Sequence, residues 1–216
     1  MMPTARSTTL GELLARAQSL IAAHDGRSLL GITGPPGTGK TTLAAALVTG
    51  LDAGTAAVVP MDGFHLTRAR IAGTDLARRR GAPDTFDGDA FAAALDSVRH
   101  GIDRDIALPA FDHLVADPVP DAVMVGRGIP LVIVEGNYLL HPDPAWAAAR
   151  QQLDAVWYID APAEVRRLRL EARHRRLGRS AADAARFVTE SDERNAAVIA
   201  QTASAADAIF TLADIG

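Results

Sequence analysis

Gly34-Pro35-Pro36-Gly37-Thr38-Gly39-Lys40-Thr41 fills every fixed position of the pattern G-x-x-x-x-G-K-[ST]. A run of this kind can wrap a chain of phosphates. Its glycines let main-chain N–H groups turn inward where a side chain would block them. A helix opening at the end of the loop adds partial positive charge. Lys40 supplies a point charge for the β- and γ-phosphates, and the Thr41 hydroxyl offers an oxygen to Mg²⁺. Thr42 is spaced to reach the α-phosphate. No N-K-x-D guanine-reading motif occurs, so the expected nucleotide is ATP. A glycine-rich turn that binds nothing is the alternative. The short apolar strand before the loop and the helical pattern after it argue against that.

Two acids stand where they could share work around a triphosphate. Val58-Val59-Pro60-Met61-Asp62 puts Asp62 just past one apolar strand, and Leu131-Val132-Ile133-Val134-Glu135 ends another at Glu135. In a parallel sheet both fall at the edge that carries the phosphate loop. Glu135 resembles the acid that steadies Mg²⁺ directly or through water. Asp62 is then the base that takes a proton from an attacking hydroxyl. The plainer readings are a turn or cap aspartate and a strand-end acid paired with an arginine.

Arg166, Arg169, Arg173 and Arg176 recur at helical spacing on one face. Each alone reads as a solvated charge with partners such as Glu164 or Glu171. Together they suit a lid that closes over the triphosphate and neutralises the transferred phosphoryl group.

The elements that must hold these residues alternate. Short apolar runs at Ser28–Thr33, Ala56–Val59, Leu131–Val134, Ala155–Ile159 and Ala208–Leu212 read as buried strands. Helical patterns cover Thr8–Ala23, Gly39–Thr49, Asp87–Arg99, Pro144–Gln152, Pro162–Leu177 and Ser180–Thr202. This alternation predicts an α/β fold: a three-layer α/β/α arrangement with a parallel core sheet of about five strands and a small helical lid. Asp103–Val125, with Pro109, Pro118 and Pro120, breaks the rhythm and reads as an insertion with short antiparallel strands.

Composition narrows the classes. The chain has 216 residues, 48% of them hydrophobic, enough for one domain with a large core. A net charge of −4 disfavours a nucleic-acid partner, which calls for a net basic face. Zero cysteines exclude disulfides, thiolate nucleophiles and zinc–thiolate sites. No apolar stretch follows Met1-Met2-Pro3-Thr4-Ala5-Arg6, so no signal peptide is expected. The longest apolar runs fall far short of the roughly 20 residues that span a bilayer. No membrane partner and a cytoplasmic location are therefore expected.

The ordered set GITGPPGTGKTT, MDGFHL, RRRGAPDTFD, PAFDHLVADPVPD and VIVEGNYLL resembles the uridine kinase, pantothenate kinase and phosphoribulokinase group of P-loop kinases. The likeness is strongest to bacterial nucleoside/nucleotide kinase-like proteins, fructose-transport-system kinases among them. It runs from about Leu29 to Asn195. The P-loop alone is shared by many enzymes, and its combination with MDGFH and VEGNYLL is much more specific. The resemblance implies a single kinase domain over residues 1–216, with a lid near 163–180 and an acceptor-site insertion near 63–125. It implies transfer of the γ-phosphate of ATP to a hydroxyl of a small metabolite: a sugar, a nucleoside or a pantothenate-like alcohol.

Carried over residue by residue, Asp62 matches the group's base and Glu135 its metal-associated acid. Lys40, Arg169 and Arg173 would stabilise the phosphoryl group. Asp62, His65, Phe111, His113 and Asn195 would bind the acceptor, and Thr41 with Glu135 would hold Mg²⁺. The whole of Gly34, Pro35, Pro36, Gly37, Thr38, Gly39, Lys40, Thr41 and Thr42 would hold ATP. His65 reads equally as a loop cap, and His113 as a core histidine. Phe111 stands where the pantothenate branch has a tyrosine and cannot hydrogen-bond an acceptor. The partners expected are ATP and the acceptor, with a homodimer left open. The rivals are a P-loop ATPase with a switch or assembly role and a nucleotide-binding regulatory protein without turnover.

Overall fold

The computed structural model describes residues 5–213. The first four residues, on which the signal-peptide reading partly rests, lie outside them. The first half of the chain runs β1 (Arg6–Thr8), α1 (Leu10–Ala22), β2 (Ser28–Thr33), α2 (Lys40–Gly50), β3 (Ala56–Pro60), α3 (Arg68–Ile71) and α4 (Gly88–His100). The second half runs β4 (Ile106–Asp112), β5 (Asp117–Val125), β6 (Leu131–Glu135), α5 (Pro144–Gln151), β7 (Ala155–Asp160), α6 (Ala163–Arg176), α7 (Ala181–Phe187), α8 (Glu193–Ala200) and β8 (Ala208–Leu212).

Six strands make one parallel sheet in the order β1-β8-β7-β2-β6-β3. Its centre is apolar on both faces because helices cover both. All six residues of β2 are buried. Alternation sorts the side chains: Leu29, Val132 and Val134 enter one core with Phe91, Leu95 and Trp146 of α4 and α5. Leu30, Ile32, Leu131 and Ile133 enter the other with Leu13 of α1 and Leu43 and Leu47 of α2. Each fully buried side chain of this size contributes about 1.5–3 kcal/mol. The result is the three-layer α/β/α arrangement with one strand more than the apolar runs suggest. The extra strand is β1, three residues beside β8. Thr8 ends this strand rather than opening α1. Thr9 caps the helix reciprocally with Glu12, whose carboxylate accepts from the Thr9 N–H at 2.9 Å.

Two departures bear on the site. The expected single helix over Ser180–Thr202 is interrupted by a π-helical turn at Val188–Asp192. That extra residue per turn carries Asp192 inward, where it meets Nε2 of His174 at 2.8 Å. The insertion forms an antiparallel hairpin, β4–β5, bulged between Leu108 and Ala110 and separate from the main sheet. It packs on the Met61–Phe64 turn so closely that a Cβ on Gly63 would stand 2.1 Å from the Pro109 carbonyl oxygen. No helix among the described residues is long and apolar enough to cross a membrane.

The first loop glycine is sterically obligatory. Gly34 has φ +142°, and a Cβ there would stand 2.1 Å from the Ile159 carbonyl oxygen. Gly54 also has positive φ (+79°) but meets nothing within 4 Å. Gly34→Ala is expected to lose more than the roughly 1–3 kcal/mol of backbone strain, lowering the melting midpoint by about 5–10 °C. Gly54→Ala bears the strain alone and should fall less. Paired thermal melts of the two variants measure the difference.

Candidate active site

Three neighbouring strands deliver the chemistry. The order β2-β6-β3 sets their C-terminal ends side by side, with Glu135 in register with Ile32 on one side and Pro60 on the other. The phosphate loop leaves β2, Glu135 ends β6, and Asp62 lies in the turn after β3. This is the sheet edge where α/β folds bind ligands.

The loop is built to wrap. Gly34, Gly37 and Gly39 all hold positive φ. A Cβ on Gly37 would stand 2.8 Å from the Arg166 carbonyl oxygen, so α6 seats the loop from outside. Lys40, 6% exposed, donates from Nζ to the carbonyls of Gly34 (2.8 Å) and Pro35 (3.1 Å). Thr38 donates to Pro35 O at 3.0 Å, fixing the loop internally. Thr41 Oγ1 donates to Glu135 Oε2 at 3.2 Å, which puts two hard oxygens beside the phosphate cradle. Burial lowers the Lys40 pKa to about 8, against the pull of the Glu135 and Asp62 charges. Burial likewise raises the Glu135 pKa, while Lys40 and the Thr41 hydroxyl draw it back.

A cavity of about 850 Å³ opens from this cradle, inside the roughly 300–1,000 Å³ typical of small-molecule sites. Pro36, Gly37, Gly39, Lys40, Thr41, Thr42, Glu135 and Arg173 line it at the cradle, and Asp62, His65, Phe111, His113 and Asn195 line it beyond. Gly34, Pro35 and Thr38 belong to the same loop but do not line the cavity. Arg169 does not line the cavity: its Nη1 donates to Gly37 O at 3.4 Å from the outer side of the loop.

His65 both closes its turn and faces the cavity. Its Nδ1–H donates to the Asp62 carbonyl at 2.7 Å, and its ring packs 4.0 Å from Phe86 and 4.6 Å from Phe111, centre to centre. Burial pushes its pKa down, Arg80 and His113 push the same way, and Asp62 opposes them. With Nδ1–H committed to the Asp62 carbonyl, Nε2 is the ring nitrogen left for a ligand. Phe111 continues the wall to His113 at 5.2 Å and lies under the Arg80 guanidinium at 5.4 Å.

The arginine stripe is not a uniform face. Arg166 is buried, bonded to Glu193 at 3.0 Å and to Pro36 O at 3.4 Å, whereas Leu168 beside it is exposed. Cavity residues that the motifs do not single out include Asn137, Arg194 and the buried His174–Asp192 pair. Asn137 stands two places after Glu135 within VEGNYLL and Arg80 within RRRGAPDTFD, so both had a signal. Arg194 had none, because a charge on a surface helix looks like any other.

Comparisons with known proteins agree with this geometry. Residues 30–86 match the family described as ATPase family associated with various cellular activities (AAA), a span from β2 through the P-loop and Asp62 to Phe86. "Putative uridine kinase C227.14" of Schizosaccharomyces pombe is 36% identical over 171 residues, 76% of this chain and 72% of that protein. The protein YggC of Escherichia coli K12 is 33% identical, covering 88% of this chain and 80% of its own length. The crystal structure of a "putative fructose transport system kinase" from Silicibacter sp. TM1040 superimposes with a TM-score of 0.82 at 32% identity. It covers 95% of this chain and 99% of that one. With relatives along nearly its whole length and the phosphate loop, Asp62 and Glu135 on adjacent strand ends, the chain belongs to the uridine kinase, pantothenate kinase and phosphoribulokinase group of P-loop kinases and is an ATP-dependent phosphotransferase.

Proposed function

We propose that the chain moves the γ-phosphate of ATP to a hydroxyl of a sugar, a nucleoside or a pantothenate-like alcohol, with Asp62 as the base. The observation that carries this is one cavity lined by Lys40 and Thr41 and, beyond them, by Asp62, His65, Phe111, His113 and Asn195. The acceptor O–H gives its proton to Asp62, its oxygen attacks the γ-phosphorus, and the bond to the β-phosphate oxygen breaks. ADP leaves, and the acceptor becomes a phosphate monoester. Lys40 and Arg173 stabilise charge on the transferred group, and Arg169 steadies the loop through Gly37 O.

Thr41 and Glu135 suit Mg²⁺, which takes one or two protein oxygens and completes its shell with phosphates and water. Bound there, the ion would neutralise charge on the β- and γ-phosphates. Residues 163–180 act as the lid and 63–125 as the acceptor wall. A hydrolytic role draws support from the AAA match, but the wall beyond Asp62 argues for a second substrate.

Coupled ADP release against nucleosides, sugars and pantothenate-like alcohols tests the reading. Release is expected to depend on an added alcohol. Release at one constant rate, with water as the sole acceptor, would favour the ATPase instead.

A further inference from the structure

The last turn of α6, Arg173–Arg176, carries a charge that faces the phosphate cradle. Arg173 lines the cavity there, and its charge is felt at both Lys40 and Glu135. Among the described residues no ion pair holds its guanidinium. Its position therefore depends on the helix beneath it.

α6 is seated by one buried stripe. Arg166, Leu170 and His174 recur every fourth residue, and all three are buried. Arg166 is tied to Glu193 at 3.0 Å. Leu170 packs on the phosphate loop, where a Cβ on Gly37 would stand 3.1 Å from its Cγ. His174 is the sole buried residue of the last turn. Beyond it the chain leaves the helix through Gly178, at φ +92° and with nothing near a Cβ there. The turn that bears Arg173 thus has a single inward anchor.

That anchor is polar. The Nε2–H of His174 donates to Asp192 Oδ2 at 2.8 Å, and both side chains are buried. Phe187 packs edge-on against the imidazole at 4.8 Å, centre to centre. An apolar side chain could fill this space, but a hydrogen bond also fixes a distance and an angle. The π-helical turn at Val188–Asp192 supplies the acceptor, a device that recurs at functional sites. Its extra residue brings Asp192 inward and leaves Glu193 on Arg166. Two adjacent acids therefore grip α6 about two turns apart.

We propose that His174 and Asp192 are positioning residues: their hydrogen bond locks the last turn of α6 so that Arg173 meets the γ-phosphate of ATP. This rests on the reading of Arg173 as a group that stabilises the transferred phosphoryl. Arg173 stands one residue from His174, about 100° around the helix. A small roll of that turn carries the guanidinium off the phosphate.

The ATP-over-ADP affinity ratio tests it, from calorimetric titrations of the full chain with Mg²⁺. The two nucleotides differ by the γ-phosphate alone, and no acceptor is needed. Arg173→Gln is expected to lower the ratio by roughly tenfold, the loss of one charge-assisted hydrogen bond. His174→Leu fills the site without a donor and should lower the ratio nearly as far. His174→Gln, which keeps a donor near the place of Nε2, should hold most of the parent ratio. Adding His174→Leu to Arg173→Gln should cost nothing further, because both act through one guanidinium. ADP affinity should stay close to the parent's throughout. If the unpaired Asp192 carboxylate unfolds His174→Leu, Asp192→Asn makes the same test without a buried unpaired charge, with a smaller fall expected.

A ratio lowered by Arg173→Gln but not by His174→Leu would overturn the proposal and leave the reading of Arg173 standing. A ratio that Arg173→Gln leaves unchanged would remove Arg173 from the γ-phosphate, and the proposal with it. Equal loss of ATP and ADP in His174→Leu would make the pair a tie of the fold alone. Losses that add in the double variant would separate the pair from Arg173, and either result overturns the proposal.

Discussion

Asp62→Asn is expected to lower phosphotransfer by roughly 10²–10⁴-fold, the contribution of a positioned general base, while ATP still binds. The substitution keeps shape and removes only proton-accepting power and charge. The turn should survive it, because His65 is held by the Asp62 main-chain carbonyl rather than by its side chain. Packing of the turn on β4 depends on Gly63, not on residue 62. Loss of a negative charge near Lys40 should, if anything, favour a polyphosphate. The two readouts must therefore separate: a calorimetric titration with ATP nearly unchanged, and ADP release in the presence of an acceptor nearly abolished. Equal turnover in variant and parent would remove Asp62 from the reaction. Parallel loss of binding and turnover would make it a nucleotide-site residue instead.

How much of this could be read from the chain follows from how local each signal is. β2 and β8 were legible to the residue, because a buried parallel strand is a short apolar run bounded by polar or glycine positions. The phosphate loop was legible because backbone geometry dictates its glycines. β1 was not legible: Arg6-Ser7-Thr8 has no apolar run, and only pairing with β8, about 200 residues away, makes it a strand. The π turn at Val188–Asp192 was hidden for a related reason. Helical periodicity continues on both sides, and a buried contact with His174 decides the local widening. Arginine spacing suggested one face on α6, but tertiary contacts split it. Arg166 became a buried tie to Glu193, Arg169 a brace on Gly37, and Arg173 a cavity residue. Asp62 and Glu135 could be placed on one edge from strand ends alone. That Gly81 and Asn195 come together beside the cavity needed the fold.

Lys40→Met should lower turnover by roughly 10²–10³-fold, as when one preorganised donor to developing charge is removed, and Lys40→Arg should not restore it. The ammonium is 6% exposed and pinned between two loop carbonyls, so it moves only a short way to meet a phosphate. A guanidinium is planar and larger, and its fork does not fit between Gly34 O and Pro35 O. Lys40 is the only lysine in the chain, so amine-directed chemistry reports on it almost alone. Its pKa of about 8 makes it reactive near neutral pH. Covalent labelling followed by mass spectrometry should find this site modified in the free protein and protected by ATP. ATP that leaves the label unchanged while turnover proceeds would place the triphosphate away from Lys40, and with it away from the loop that the fold presents at the end of β2.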